Sequence, residues 1–147
     1  MEHWEAIARE CIRDLVARYN ANGDSGRFDP MLELFAEDAE MEIEAGTFRG
    51  KAEIRSIFTN AAKRTGQGGG ARFIRHCTST HQIDLQGPDR ALGRCYYFVL
   101  TDQGVDHWGR YIDEYRQIDG RWLFWRRKVT TDARVEGGWG DRGSSGD

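Results

Sequence analysis

HWGRYIDEYRQIDGRWLFWRRKVTT (residues 107–131) holds two runs rich in aromatic and β-branched residues, parted by Asp119-Gly120. A two-residue Asp-Gly loop between such runs is a strong short-range hairpin signal. The spacing predicts strands over 107–118 and 121–131. Working outward, Ala91 to Thr101 reads as a strand ending at "DQG", and Phe73 to Leu85 as one ending at "GPDR". Four long strands joined by tight turns predict an antiparallel meander.

The chain before residue 66 has a different period. Trp4, Ile7, Ala8, Cys11, Leu15 and Tyr19 fall on one helical stripe, which Asn22-Gly23 is placed to stop. Asp29-Pro30 signals a second, short helix by a capping residue followed by Pro, with Leu32, Leu34, Phe35 and Ala36 behind it. Met41, Ile43 and Ala45 alternate with Glu40, Glu42 and Glu44, the pattern of a half-buried strand, with a turn at Gly46. A third helix fits 51–64, with Ile54, Ile57, Phe58 and Ala61 on its inner face. Helices first and sheet second define an α+β class. Long antiparallel strands curl, so three N-terminal helices over the concave face would enclose a pocket. One domain over 1–131 is expected, followed by a flexible Gly-rich tail over 132–147.

Composition narrows the function classes. The 147 residues are 39% apolar, enough for one core, and 31% charged. The net charge of −3 lacks the basic surplus that nucleic-acid binding needs. The apolar run Cys95 to Leu100 is far too short to span a bilayer. "MEHWEAIARECIRD" has no apolar secretory segment, so no membrane partner and a cytoplasmic location are expected. Cys11, Cys77 and Cys95 show no metal-ligand rhythm and read as reduced thiols. "GQGGGA" (66–71) lacks the Lys-Ser/Thr of a phosphate loop and reads as a flexible loop. No clustered His, Asp and Glu set stands out, and no metal is expected.

"RYNANGDSGRFDPMLELFAEDAEMEI", "GTFRGKAEIRSIF", the "RH" of residues 75–76 and "GRYIDEYRQIDGRWLFWRRKV" together resemble the SnoaL-like branch of the NTF2-like superfamily, in order, over about Ile7 to Thr131. Within that branch the chain looks most similar to the scytalone dehydratase-like group, which includes hexachlorocyclohexane dehydrochlorinase and bile-acid 7α-dehydratase. The resemblance implies a cone-shaped α+β barrel and elimination from a cyclic substrate without a cofactor, driven by an Asp–His pair. It assigns the aspartate to Asp24 and the histidine to His76. It also assigns a tyrosine to Tyr19 and an arginine to Arg127. The second pocket histidine of scytalone dehydratase falls on Cys95 or a neighbour, and a tyrosine next to its aspartate is Gly23 here.

The chemistry of these residue types agrees with that assignment. Neutral imidazole accepts protons near neutral pH. A carboxylate on its other nitrogen fixes the tautomer and stabilises the imidazolium. More than fifty residues separate Asp24 from His76, so only folding can pair them. The alternative is a strand histidine satisfied by a carbonyl, with Asp24 a solvated turn residue. His81 lies an odd number of residues from His76, so a regular strand sends it to the other face, in a structural or surface role.

Strand parity puts Arg127 with Leu123, Trp125 and Val129, and Arg126 and Lys128 with Trp122 and Phe124. If the Arg127 face is the pocket, its cation can hold developing negative charge; otherwise it pairs with a carboxylate. Cys95, Tyr97, His107, Tyr111, Trp125 and Phe58 are the expected substrate-binding lining. Trp122 and Phe124, on the opposite face, would then need covering, which predicts a homodimer or homotrimer through the back of the sheet.

The function expected is a lyase of dehydratase type acting on a small hydrophobic cyclic, hydroxylated substrate. A polyketide cyclase or ketosteroid isomerase-like enzyme shares the proton-abstraction half. A non-catalytic binding module is the third reading, and the Asp24–His76 distance beside an open cavity discriminates it.

Overall fold

The computed structural model describes residues 1–65 and 71–141. Residues 66–70 of the expected loop and 142–147 of the expected tail lie outside the described residues. Helices α1 (His3–Asp24), α2 (Phe28–Leu32) and α3 (Gly50–Ala62) alternate with a first hairpin, β1 (Phe35–Ile43) and β2 (Gly46–Arg49). The meander follows as β3 (Ile74–Leu85), β4 (Arg90–Thr101), β5 (Gly104–Ile118) and β6 (Arg121–Arg134). The sheet order is β2-β1-β6-β5-β4-β3. The α+β class holds: a curved sheet with N-terminal helices, with two free edges instead of the expected closed barrel.

Sequence and structure differ in instructive places. Phe35 and Ala36 open β1 instead of extending α2, and β1 runs parallel to β6, so the sheet is mixed. Gly46 begins a four-residue strand, β2, that pairs with β1. On α1 the buried stripe is Ala8, Ile12, Leu15, Val16 and Tyr19; Trp4, Ile7 and Cys11 are exposed. The 3.6-residue period continues from Ala8 through Ile12, which brings Leu15 and Tyr19 onto the sheet. Asp119 and Gly120 have φ of 51° and 79°, the left-handed pair a type I′ turn demands.

Bulges bend the sheet and reset its faces. Register shifts occur in every strand pair except β1–β2. Each inserted residue reverses the alternation beyond it. In β6 the pairing jumps from Phe124↔Tyr115 to Arg126↔Glu114, leaving Trp125 as the extra residue. Consequently Trp122, Phe124 and Arg127 all point inward, at 7%, 0% and 1% exposure, whereas regular parity separates Arg127 from the other two. The expected aromatic back face is therefore corrected: Trp122 and Phe124 are core. Another shift at Trp108/Gly109 brings β6 so close that a Cβ on Gly109 would lie 1.9 Å from the Thr130 carbonyl oxygen, which only glycine accommodates.

Beyond the expected boundary at residue 131, β6 continues to Arg134. Residues 135–141 then turn back, with Val135 N–H donating to Asp106 O at 2.8 Å.

Candidate active site

α1 and α3 lie over the concave face, α1 against β3 and β6 and α3 against β1. They leave a cavity of about 360 Å³ between helices and sheet, in the size range of small-molecule sites. Its walls include Phe28, Ile43, Ile57, Phe58, Ile74 and Val129. Asp24, the last residue of α1, reaches across to the start of β3. His76 Nδ1 lies 2.6 Å from Asp24 Oδ1, and His76 N–H donates to Asp24 Oδ2 at 2.8 Å. Both carboxylate oxygens are thus engaged by one residue, which fixes carboxylate and ring together. A carboxylate only accepts, so Nδ1 carries the hydrogen and Nε2 holds the lone pair. Side-chain exposure is 9% for Asp24 and 21% for His76, so the pair is sheltered without being sealed.

The expected lining divides into residues on the cavity and residues off it. Tyr19, Phe58, Tyr97, His107 and Tyr111 line it. Tyr111 donates to Asn20 Oδ1 at 3.3 Å and Tyr97 to Thr130 O at 3.0 Å, so both hydroxyl protons are committed to the protein. The Tyr19 hydroxyl donates to the soft Met41 Sδ, at 3.9 Å. Burial pushes the Tyr19 hydroxyl pKa up to about 12, partly opposed by Arg127, so it remains a donor.

Three expectations are corrected. Arg127 does not line the cavity: Nε and Nη2 donate to Asp113 Oδ1 and Oδ2 at 2.8 and 3.0 Å, and both side chains have 0% exposure. Its guanidinium packs on the rings of Tyr19, Tyr111 and Phe124. Cys95 is in the core at 1% exposure, where burial lifts its thiol pKa to about 11. Trp125, the bulged residue, is partly exposed beneath Arg116 and Arg126. The bulge that turns Arg127 inward is the common cause for Arg127 and Trp125. Cys95 faces inward as parity implies, but core packing covers it.

His81 shows the same effect. A register shift between Ser79 and Gln82, with Thr80 at φ 52°, turns His81 inward to sit 3.1 Å from Tyr115 Oη. Tyr115 in turn donates to Asp113 Oδ2 at 2.8 Å. His81 therefore belongs to the buried Arg127–Asp113 network. Asp106, which sequence reasoning passed over, is 3% exposed and bonded to His107. Its signal was the adjacent Asp-His at the start of a strand whose inward row includes His107 and Tyr111.

Among the described residues no group of three or more His, Cys, Asp or Glu side chains is placed to hold a metal ion. No helix there is long and apolar enough to cross a membrane.

A curved six-stranded sheet covered by N-terminal helices is the architecture of an NTF2-like protein. The model of the SnoaL-like domain matches residues 4–128, and the chain belongs to that family. Comparison with curated proteins gave no match. Among solved structures, a Nostoc punctiforme protein of unknown function with a cystatin-like fold is 25% identical over 89% of this chain and 96% of its own, with TM-score 0.79. A candidate scytalone dehydratase from Novosphingobium aromaticivorans is 20% identical over 92% and 91%, with TM-score 0.78. Hexachlorocyclohexane dehydrochlorinase LinA-type3 from Novosphingobium barchaimii is 17% identical over 90% and 91%, with TM-score 0.76. At such identities the last two show a shared fold.

Proposed function

We propose that this protein is a cofactor-independent lyase of dehydratase type, acting on a small cyclic, hydroxylated substrate through Asp24 and His76. The observation that carries the reading is the 2.6 Å contact from His76 Nδ1 to Asp24 Oδ1 at the edge of an apolar-walled cavity. His76 Nε2 takes a proton from a ring carbon; Asp24 holds the tautomer and the imidazolium charge. The electron pair of the C–H bond forms the double bond, and a group on the neighbouring carbon departs. Tyr19 is the tyrosine best placed to donate a hydrogen bond to charge appearing in the cavity. Arg127 supports the floor by packing under Tyr19 and Tyr111 and does not touch substrate.

A panel of small cyclic alcohols and steroid-like ligands, screened by thermal stabilisation and then turnover, tests the reading. His76→Ala and Asp24→Ala are each expected to lose at least about 100-fold in turnover while staying folded. Retained activity in both rejects the assignment. Loss of one water from the product supports a dehydratase, whereas unchanged mass supports the isomerase or cyclase reading.

The partner proposed for the outer sheet face is a second copy of the chain. Tyr96, Phe98, Trp108 and Ile112, all exposed and adjacent in the β4–β5 register, form the apolar surface there. A monomeric mass in solution would reject it.

A further inference from the structure

A second carboxylate–imidazole pair faces the same cavity. β5 carries an extra residue where its register with β4 shifts from Val99↔His107 to Leu100↔Val105; that residue is Asp106. The bulge turns Asp106 inward beside His107. His107 Nδ1 lies 2.7 Å from Asp106 Oδ2, with side-chain exposures of 13% and 3%. The turn after β6 completes the arrangement. Trp139 N–H donates to Asp106 Oδ1 at 2.5 Å and Gly140 N–H to Oδ2 at 2.7 Å. The Trp139 ring stacks on the His107 ring, 6.0 Å between centroids and 16° between planes, with the Arg64 guanidinium over the indole at 4.4 Å. A carboxylate holding two backbone N–H groups and a ring N–H is fixed, and so is the imidazole it orients. Nδ1 is committed to Asp106, which leaves Nε2 for the cavity.

The two imidazoles are 6.4 Å apart between centroids and nearly perpendicular, at 86°. Nitrogens on two such rings can each come within roughly 3 Å of one of two adjacent substrate atoms, the reach proton transfer requires. We propose that Asp106–His107 is a second proton-transfer pair of this site, held in place by the turn over residues 135–141, and that it protonates the substrate oxygen. This rests on the reading of His76 as the base. As His76 takes the carbon-bound proton, the C–O bond breaks and its electron pair stays on oxygen. The His107 imidazolium gives its Nε2 proton to that oxygen, which leaves as water. His107 ends neutral and His76 ends charged; exchange of one proton with solvent at each restores the start. Such an acid is useful only to a leaving group that needs a proton. A halide leaves as an anion without one, so the pair selects an oxygen leaving group.

The groups facing His107 are Asp106 from its own strand, His76 from β3, Tyr97 from β4 and Arg134 from β6, the last paired with Glu44 at 2.9 Å. Burial lowers the His107 pKa, Asp106 opposes this, and His76 and Arg134 add to it. A loosely held proton makes His107 the stronger acid and places its working form on the acid side of neutrality.

The test uses the full chain with ¹⁵N-labelled histidine, followed by NMR across pH, in the wild type and in His76→Gln, His107→Gln, Asp106→Asn and Gly140→Ala. The last is a non-titrating variant whose Cβ would sit 2.6 Å from His107 Nδ1. Expected are a wild-type His107 protonated at Nδ1 when neutral, loss of that preference in Asp106→Asn and Gly140→Ala, and a His107 titration that moves to higher pH in His76→Gln, which removes the neighbouring imidazole. On a cyclic alcohol that the panel shows to be turned over, His107→Gln should lower kcat at least about 100-fold, change KM less, and abolish the high-pH limb of kcat. A His107 titration unmoved by His76→Gln, or a kcat that keeps its size and high-pH limb in His107→Gln, overturns the proposal. If Asp24→Ala and His76→Ala lose turnover and His107→Gln keeps it, only the second pair fails. If all three keep it, the dyad reading fails too.

Discussion

Arg127 and Asp113 form a two-pronged ion pair, at 2.8 and 3.0 Å, with neither side chain reaching solvent. Burial pulls the arginine pKa down, and the Asp113 charge and hydrogen bonds pull it further up, so the guanidinium stays charged. Removing one partner leaves a buried charge alone, which typically costs about 3–5 kcal/mol. Arg127→Met and Asp113→Leu should each lose that much in urea unfolding. The double variant should recover most of it, because two apolar side chains leave no charge to desolvate. A double variant as unstable as the sum of the singles would show that packing, and not charge, carries the site.

That pair also marks where the sequence stops being readable. The meander, its turns and the existence of three helices follow from period and turn chemistry, and Asp24 and His76 follow from resemblance plus the chemistry of imidazole. Which residues face the cavity does not follow, because one extra residue reverses every side chain beyond it. Trp125 does this for Arg127 and Thr80 with His81 for the end of β3, while the extra residue Asp106 is turned inward beside His107, which parity already places on the cavity. None of the three carries a glycine to advertise the bulge. Long-range packing selects them, and the parity rule has no access to it.

Asp24→Asn should be more damaging to activity than its shape suggests. The one remaining oxygen is needed by the His76 N–H, now 2.8 Å from Oδ2. The amide NH₂ then faces Nδ1 and favours hydrogen on Nε2, which removes the basic lone pair from the cavity. Turnover should fall about 10²–10⁴-fold with a melting temperature within a few degrees of wild type. Nitrogen-15 shifts of His76 should report the exchanged tautomer; an unchanged tautomer with full activity would separate Asp24 from the chemistry.

Stability should decline on the acid side of pH 6.5. Burial holds the pKa of both His81 and His107 below the usual value. The unfolded chain therefore binds protons first as pH falls through about 6.5, and protonation favours unfolding down to the folded-state values. Above that range both states are neutral at these positions and the contribution is flat. Melting temperatures from pH 8 to 5 should show the drop, and His81→Gln with His107→Gln should flatten it. An equal slope in the double variant would assign the acid sensitivity elsewhere.

Phe124 and Trp125, adjacent in sequence, should respond unequally to truncation. Phe124 is 0% exposed, with ring centroids 5.2 Å from Phe35, 5.5 Å from Tyr19 and 5.7 Å from Tyr115. Its removal opens a cavity beneath the candidate site, at a cost of about 3–5 kcal/mol. Trp125 is partly exposed, with Arg116 and Arg126 stacked on its ring at 3.2 and 4.5 Å. Truncation there loses cation–π and stem packing, about 1–2 kcal/mol. Because Phe124 packs on Tyr19, Phe124→Ala should also loosen the cavity floor and weaken ligand binding, while Trp125→Ala should leave binding alone. Denaturant unfolding of the two variants decides the matter: the reverse order of costs is what an unbulged β6 would give, with Arg127 and Trp125 on one face.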